Sequence, residues 1–165
     1  MTVLEPMHPV ARRRLAWIAA AAALFVAGIV IAPWLASRSG WGVALHFAYR
    51  PMCHQMADRC FDLGAGPLAV CARCTGLYVG GLLGLWLPVV VGRTPRLGLR
   101  TLIVSAVPSV VDFALGVVGL PSLANLPRAL LALPLGLVLG LLLARGLADL
   151  LTPRPSNRAD RDSVQ

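Results

Sequence analysis

The chain has 165 residues, of which 58% are hydrophobic and only 13% are charged. Soluble domains carry about 45–50% apolar residues and about 25% charged ones, so this composition excludes both a water-soluble globule and a disordered chain. The formal charge of +8 comes from 15 basic residues, all of them arginines. These arginines flank apolar stretches instead of gathering on one amphipathic face, so we expect no nucleic-acid partner. The composition predicts an integral membrane protein whose surroundings are the lipid bilayer.

Four long apolar stretches predict an all-α fold, a four-transmembrane-helix bundle, since one crossing takes about 20 apolar residues. A basic N-terminal arm, residues 1–14, would precede one membrane domain, residues 15–151, and a disordered tail would cover residues 152–165. The predicted spans are approximately residues 15–35, 75–91, 99–120 and 126–148. The first apolar run is longer than the roughly 7–15 residues of a signal peptide, so we expect an uncleaved helix.

A longer loop, residues 37–74, separates the first two spans. Aromatic and apolar residues follow Trp41 as far as Arg50. Because Trp and Tyr prefer the boundary between lipid and water, this run predicts a short helix lying in the membrane interface.

The placement of the arginines predicts the orientation, because loops rich in positive charge stay in the cytoplasm. An even number of spans puts both termini on one side, with ten arginines there and five on the side of the loop. The ten are Arg12, Arg13, Arg14, Arg93, Arg96, Arg100, Arg145, Arg154, Arg158 and Arg161; the five are Arg38, Arg50, Arg59, Arg73 and Arg128. We therefore expect a multi-pass protein of the cell membrane with both termini cytoplasmic and the loop outside.

Glycines recur every four residues on two of the predicted spans. Gly76, Gly80 and Gly84 lie on the second span, and Gly136 and Gly140 lie on the fourth. Small residues at this interval let helix backbones approach closely in a membrane, where van der Waals contact replaces the hydrophobic effect. The spacing predicts tight helix–helix contacts along both spans, although an Ala/Gly-rich chain also produces such spacings by chance.

All four cysteines of the chain lie in the loop between the first two spans. Cys53 and His54 are adjacent, and Cys71 and Cys74 form a Cys-x-x-Cys pair just before the second span. A turn with that spacing lets two thiolates bind one ion, and three sulfurs with one imidazole suit a tetrahedral zinc or copper(I) site. The sequence predicts Cys53, His54, Cys71 and Cys74 as metal ligands.

Two other interpretations of the cysteines stay open. Outside the cytoplasm they would meet an oxidising compartment, where Cys71 and Cys74 would form a redox-active disulfide with Arg73 lowering the thiol pKa. The protein would then be a membrane thiol–disulfide oxidoreductase with Cys53 as resolving partner. Alternatively, the cysteines form structural bridges in a structural membrane subunit. The sequence does not decide whether the protein is an enzyme, and a partner membrane protein or a homo-oligomer stays open.

Asp112 lies inside the third predicted span, where a carboxylate costs roughly 2.5–3.5 kcal/mol on insertion scales. Such a residue normally faces a polar cavity or pairs with a cation. Arg128 begins the fourth span, Arg73 precedes the second, and Asn125 lies in the turn between the third and fourth. The topology therefore predicts a polar cluster of Arg73, Asp112, Asn125 and Arg128 near the cysteines, in the outer half of the bundle.

These residues resemble the domain of unknown function 2085 family, a group of small predicted integral membrane proteins. The resemblance covers about Met52 to Gly140. The matching residues are Cys53-His54-Gln55, the run Cys71-Ala72-Arg73-Cys74-Thr75-Gly76-Leu77-Tyr78, and Pro108, Asp112, Asn125 and Arg128. The resemblance adds Gln55 to the polar cluster; Cys60 and Phe113 depart from the family pattern, which has serine and glycine there. It implies a site at these residues and no particular reaction.

Overall fold

A computed structural model describes residues 4–118 and 123–152 of the chain. Over these residues the chain forms five α-helices, one short 3₁₀ turn and two small antiparallel sheets of two strands each. The elements in chain order are β1 (Leu4–Pro6), α1 (Pro9–Ala36), α2 (Gly40–Ala48), the 3₁₀ turn (Ala57–Arg59), β2 (Cys60–Asp62), β3 (Pro67–Cys71), α3 (Ala72–Val91), β4 (Arg93–Pro95), α4 (Leu99–Val117) and α5 (Asn125–Leu151). Four of the helices, α1, α3, α4 and α5, are long and apolar enough to cross a membrane. The predicted four-span helical bundle is confirmed.

The first helix begins earlier than the sequence predicted. Pro9 occupies its first turn, where a missing N–H costs nothing, and the His8 side chain caps the helix by accepting from the Val10 N–H at 3.3 Å. The arginines of the predicted arm therefore belong to α1, and Leu4–Pro6 before it form strand β1. The predicted tail from residue 153 onwards lies outside the described residues.

A small clasp joins the N-terminal segment to the far ends of the other helices. Strand β1 pairs antiparallel with β4, the connection between α3 and α4, with Leu4 opposite Pro95. Glu5 forms ion pairs with Arg96 and with Arg145 near the end of α5, the latter at 3.1 Å. The start of α1, the end of α3 and the end of α5 consequently meet at one end of the bundle, opposite the cysteine loop.

Helices α3 and α5 form the closest contact of the bundle, and the predicted glycines lie along it. A Cβ added at Gly80 would meet backbone atoms of α5, including the Leu137 nitrogen at 2.9 Å. A Cβ at Gly140 would lie 3.0 Å from the Gly84 Cα. Because backbone atoms cannot move aside as a flexible side chain does, these positions require glycine for the helices to approach so closely.

Helix α4 lies at the edge of the bundle and buries one narrow polar stripe. Ser105, Ser109 and Asp112, spaced by four and three residues, are its buried residues, and the Ser109 hydroxyl donates to the Leu131 carbonyl of α5 at 3.1 Å. Apolar side chains such as Val111 on its other faces are exposed, as suits contact with lipid. The helix ends at Val117; residues 119–122, which include the rest of the predicted span, lie outside the described residues.

The predicted short helix is present as α2, whose N-terminus is capped by the Ser39 side chain. Gly42 packs against the backbone of α1 at Leu35 and Ala36, which folds α2 back onto the end of the first span. The hairpin of β2 and β3 that follows was not predicted, since its strands are short and lack a clear alternation of polar and apolar residues. The hairpin delivers the chain directly into α3.

Candidate metal centre

Cys53 lies just after α2, on a loop held by backbone and side-chain hydrogen bonds. Its N–H donates to the Tyr49 carbonyl at 3.2 Å, and the Tyr49 hydroxyl donates to the Phe25 carbonyl of α1 at 2.8 Å. Gln55 adopts a positive φ of 53°, and its side-chain NH₂ donates to the carbonyls of His46 and Ala69, both at 2.8 Å. The Gln55 side chain thus ties the Cys53 loop to the end of α2 and to β3.

The hairpin brings the second cysteine-containing segment beside Cys53. Asp62 closes its turn by accepting from the Gly64 and Gly66 N–H groups at 2.7 and 3.3 Å, and both glycines have positive φ. Strand β3 then leads into α3, with Cys71 at the N-cap position of the helix. Cys74 follows in the first turn of α3. The Cys-x-x-Cys pair is therefore built on the start of a membrane-spanning helix.

Three sulfur atoms meet where these segments converge. The Sγ atoms of Cys53, Cys71 and Cys74 all lie within 4.8 Å of one another. The Cys53 sulfur also accepts the Cys71 backbone N–H at 3.2 Å, which fixes the loop against the start of α3. Cys53 is buried, whereas Cys71 and Cys74 are half-buried, and all four cysteines are free thiols. Three soft donors from two separate segments thus converge on one point.

Cys71 and Cys60 differ sharply in how readily they lose their protons. Hydrogen bonding with the Cys74 side chain lowers the pKa of the Cys71 thiol to about 5. Burial raises the pKa of the Cys60 thiol to about 11, and the nearby sulfurs of the cluster add to this. The lowered pKa of Cys71 favours the thiolate form that metal binding or nucleophilic attack requires, whereas the raised pKa of Cys60 favours the neutral thiol.

Two residues near the cluster do not join it. His54, predicted as a fourth ligand, is exposed, and the group of close ligand atoms contains no histidine. Cys53 is buried and His54 is exposed, so the two adjacent side chains point in different directions. Cys60 is buried and pairs with Cys71 across the hairpin, but its sulfur also lies outside the group. Its carbonyl accepts from the Asn125 side chain at 2.9 Å, which ties the hairpin to the start of α5.

Part of the predicted polar cluster is assembled around Asp112; Asn125 and Gln55 instead donate to backbone carbonyls outside it. Arg73 donates to the Asp112 Oδ2 atom through Nε at 3.0 Å and through Nη2. The Arg128 Nε atom lies 3.6 Å from the same oxygen, which is beyond hydrogen-bond distance, and it has no partner among the described residues. The side chains of Asp112 and Arg128 are 3% and 5% exposed. Two guanidinium groups thus share one buried carboxylate.

A cavity of about 250 Å³ lies directly over the three sulfurs. The three clustered cysteines line it, together with residues that the sequence predicted for the site, His54, Gln55, Arg73 and Arg128. It is also lined by residues that the sequence reasoning did not include: Met52, Met56, Arg59 and Phe113. Arg73 lies over the Phe113 ring, with its guanidinium carbon 5.7 Å from the ring centre. Met52 and Met56 directly flank Cys53-His54-Gln55 in the sequence, and this was the signal available for the thioether part of the lining.

Comparison with known proteins matches this site region to a family without an assigned activity. The family described as "Predicted membrane protein (DUF2085)" matches residues 53–142. An uncharacterised protein of Methanocaldococcus jannaschii is 30% identical over an alignment of 107 residues, and the alignment covers 59% of this chain and 69% of that protein. No solved structure matches the chain. The family match begins at the first clustered cysteine, includes Arg128 and covers more than half of the chain, so this protein belongs to the DUF2085 family of membrane proteins.

Proposed function

We propose that this membrane protein binds a soft metal ion, zinc or copper(I), through the thiolates of Cys53, Cys71 and Cys74. The observation that carries the proposal is the convergence of these three sulfurs within 4.8 Å. Zinc–sulfur bonds of about 2.3 Å in tetrahedral geometry place ligand sulfurs roughly 3.8 Å apart. A contraction of at most about 1 Å, within the reach of side-chain rotation, therefore brings the thiols to coordinating distance.

The charges around the sulfurs suit a bound divalent ion. Arg73 and Arg128 carry two positive charges and Asp112 one negative charge, which leaves one buried positive charge unbalanced. Three thiolates with one divalent ion carry a net charge of about −1 and would neutralise that excess. A copper(I) ion would leave one more negative charge, so the charge balance favours zinc.

The proposed centre leaves one coordination position free for a ligand from outside the protein. Three protein ligands and an open fourth position are typical of catalytic zinc sites, whereas structural sites are closed by a fourth residue. Here the cavity over the sulfurs provides the space, and His54 lies at its rim as an exposed residue. In this proposal His54 contacts what enters the cavity and does not ligate the ion.

The test is metal analysis of the detergent-purified protein by inductively coupled plasma mass spectrometry. We expect about one zinc or copper ion per chain in the native protein and almost none after Cys71→Ser or Cys74→Ser. Cys60→Ser is the matched control, because Cys60 is a buried free cysteine outside the cluster. That variant and His54→Ala should retain the ion. A folded, fully reduced native protein without metal would contradict the proposal, as would equal metal loss from Cys60→Ser and Cys71→Ser.

Thiol–disulfide exchange is a second candidate, favoured by the position of Cys71 at the N-terminus of α3 and its lowered pKa. The Cys71 thiolate would attack a partner disulfide and release one partner thiolate. The Cys74 thiolate would then displace the second, so that two electrons pass to the partner and a Cys71–Cys74 disulfide forms. A Cys74→Ser variant should trap the mixed disulfide. Failure to trap any partner in intact cells, with metal present in the native protein, would exclude this candidate.

We further propose that both termini lie in the cytoplasm and the sulfur cluster faces the outside. The excess of arginines at the clasp end supports this orientation. Reporter fusions test it: a phosphatase that is active only outside the cytoplasm should be active when inserted at Gly64 and inactive at the C-terminus. The reverse pattern would place the cluster in the cytoplasm.

A further inference from the structure

The cavity over the sulfurs carries an excess of positive charge. Three arginines line it, Arg59, Arg73 and Arg128; against them the described lining holds no carboxylate, only the readily ionised thiol of Cys71. The nearest buried carboxylate, Asp112, lies behind two of these arginines with its side chain 3% exposed. At about 250 Å³ the cavity is smaller than the roughly 300–1,000 Å³ of drug-sized ligand pockets. A small molecule entering it therefore meets guanidinium groups and sulfur.

Arg128 supplies the main observation, because its guanidinium is buried without sufficient acceptors. The residue is 5% exposed, and its Nε atom has no hydrogen-bond partner among the described residues. Its nearest carboxylate oxygen already accepts two hydrogen bonds from Arg73. Guanidinium carries five N–H donors in a planar fork, so a cavity ligand with several acceptor oxygens would satisfy donors that the described chain leaves unpaired.

Two helix N-termini add to the positive potential of the cavity. Helix α3 begins at Ala72 and α5 begins at Asn125, and neither has an acidic residue in its first turn. Each begins instead with an arginine within four residues, an arrangement that the helix dipole disfavours unless an anion is present. Arg59 at the rim pairs with the exposed Asp58 at 3.6 Å, a weak contact in water that leaves the arginine able to turn toward a ligand.

We propose that this cavity binds a phosphate group, either of free phosphate or of a lipid headgroup, through Arg128 and Arg59. Phosphate suits the site because its charge of up to −2 and its several oxygens match guanidinium forks better than a halide would. The inference goes beyond the metal proposal, since the arginines are not metal ligands and anion binding does not require the ion.

The experiment measures binding to the detergent-purified protein in two arms. Isothermal titration calorimetry with inorganic phosphate tests the free anion, and native mass spectrometry with a short-chain phosphatidylglycerol tests the lipid headgroup. We expect saturable binding in at least one arm, weakened about tenfold or more by Arg59→Gln and by Arg128→Gln. Arg38→Gln is the matched control, an exposed arginine on the same side that does not line the cavity, and it should bind as the native protein does.

Each outcome decides the proposal. Saturation by only one of the two probes identifies the source of the phosphate, and no saturation in either arm overturns the inference. Equal weakening by Arg38→Gln and Arg59→Gln also overturns it, because that result indicates unspecific attraction. If Arg128→Gln does not fold, Arg59→Gln and Arg128→Lys still decide, the latter keeping the charge but losing the fork. Phosphate binding retained in a metal-free Cys71→Ser protein separates this inference from the metal proposal.

Discussion

Asp112→Asn is the substitution whose effect on stability follows most directly from the structure. It removes the one carboxylate shared by Arg73 and Arg128 and leaves two guanidinium groups without a counter-ion. Breaking a buried ion pair by removing one partner costs about 3–5 kcal/mol, because the remaining charge stays out of water. Arg73 is 29% exposed and can turn toward the cavity, so the lower end applies. We expect a loss of about 3 kcal/mol, roughly a hundredfold in the unfolding equilibrium.

The assay is unfolding of the protein in mixed micelles by increasing dodecyl sulfate, followed by circular dichroism of the helices. Asp149→Asn is the control, since Asp149 is 70% exposed and lies 3.9 Å from Arg145. Its loss should change the free energy of unfolding by less than about 0.5 kcal/mol. Adding Arg128→Met to Asp112→Asn should recover part of the lost stability, because it removes the unbalanced charge. An Asp112→Asn protein as stable as the Asp149→Asn control would refute this account of the cluster.

Two further predictions concern the close contact between α3 and α5 and the clasp. Gly80→Ala should destabilise the protein by about 1–3 kcal/mol in the same assay, because the new Cβ meets the α5 backbone. Gly81→Ala is the control and should be almost neutral, since its Cβ would lie 3.7 Å from its nearest neighbour. Equal effects of the two substitutions would contradict the packing argument. Hydrogen bonding from Arg96 lowers the pKa of Glu5, so the clasp gains stability above the usual glutamate pKa and loses it as the pH falls through the lowered value. The Met7 N–H donates to the Gly92 carbonyl at 3.0 Å beside the clasp, so its exchange rate reports on clasp stability. Glu5→Gln should therefore speed amide exchange of Met7 at neutral pH, and this difference should vanish in acid. A difference that persists in acid would exclude the charge as its cause.

Hydropathy was sufficient to predict the spans because each crossing requires its own run of apolar residues, whatever its neighbours are. The start of α1 was predicted too late, since Arg12–Arg14 lower the local hydropathy while the backbone is already helical. The charges that mark the edge of a hydrophobic run need not mark the edge of a helix. Proline at position 9 and the capping His8 were the local signals for the earlier start.

The cluster of sulfurs was predicted in part. The Cys-x-x-Cys spacing placed Cys71 and Cys74 together, since they lie within one helical turn. Spacing does not specify the direction of a side chain on an irregular loop, which is why the structure leaves His54 and Cys60 outside the group of close sulfurs. The Gln55 hydrogen bonds hold the Cys53 loop and the hairpin pairing holds Cys60, and both depend on contacts between distant segments.

The order of the arginines around Asp112 was likewise a matter of tertiary packing. The sequence placed Arg73, Asp112 and Arg128 in one half of the bundle, because span lengths determine depth in a membrane. Which arginine donates to the carboxylate depends on how α3, α4 and α5 are rotated against one another, and the structure assigns that role to Arg73.

The amino-acid sequence by itself therefore determined that the chain enters the membrane as four helices, and which of its polar residues lie at the cysteine end. Composition and the depth of each residue along a span are local properties, readable one helix at a time. Only the tertiary structure decided that three sulfurs converge, that Arg128 is buried short of acceptors, and that a cavity lies above them. Those features arise from the rotation and close approach of helices, which depend on atoms far apart in the chain.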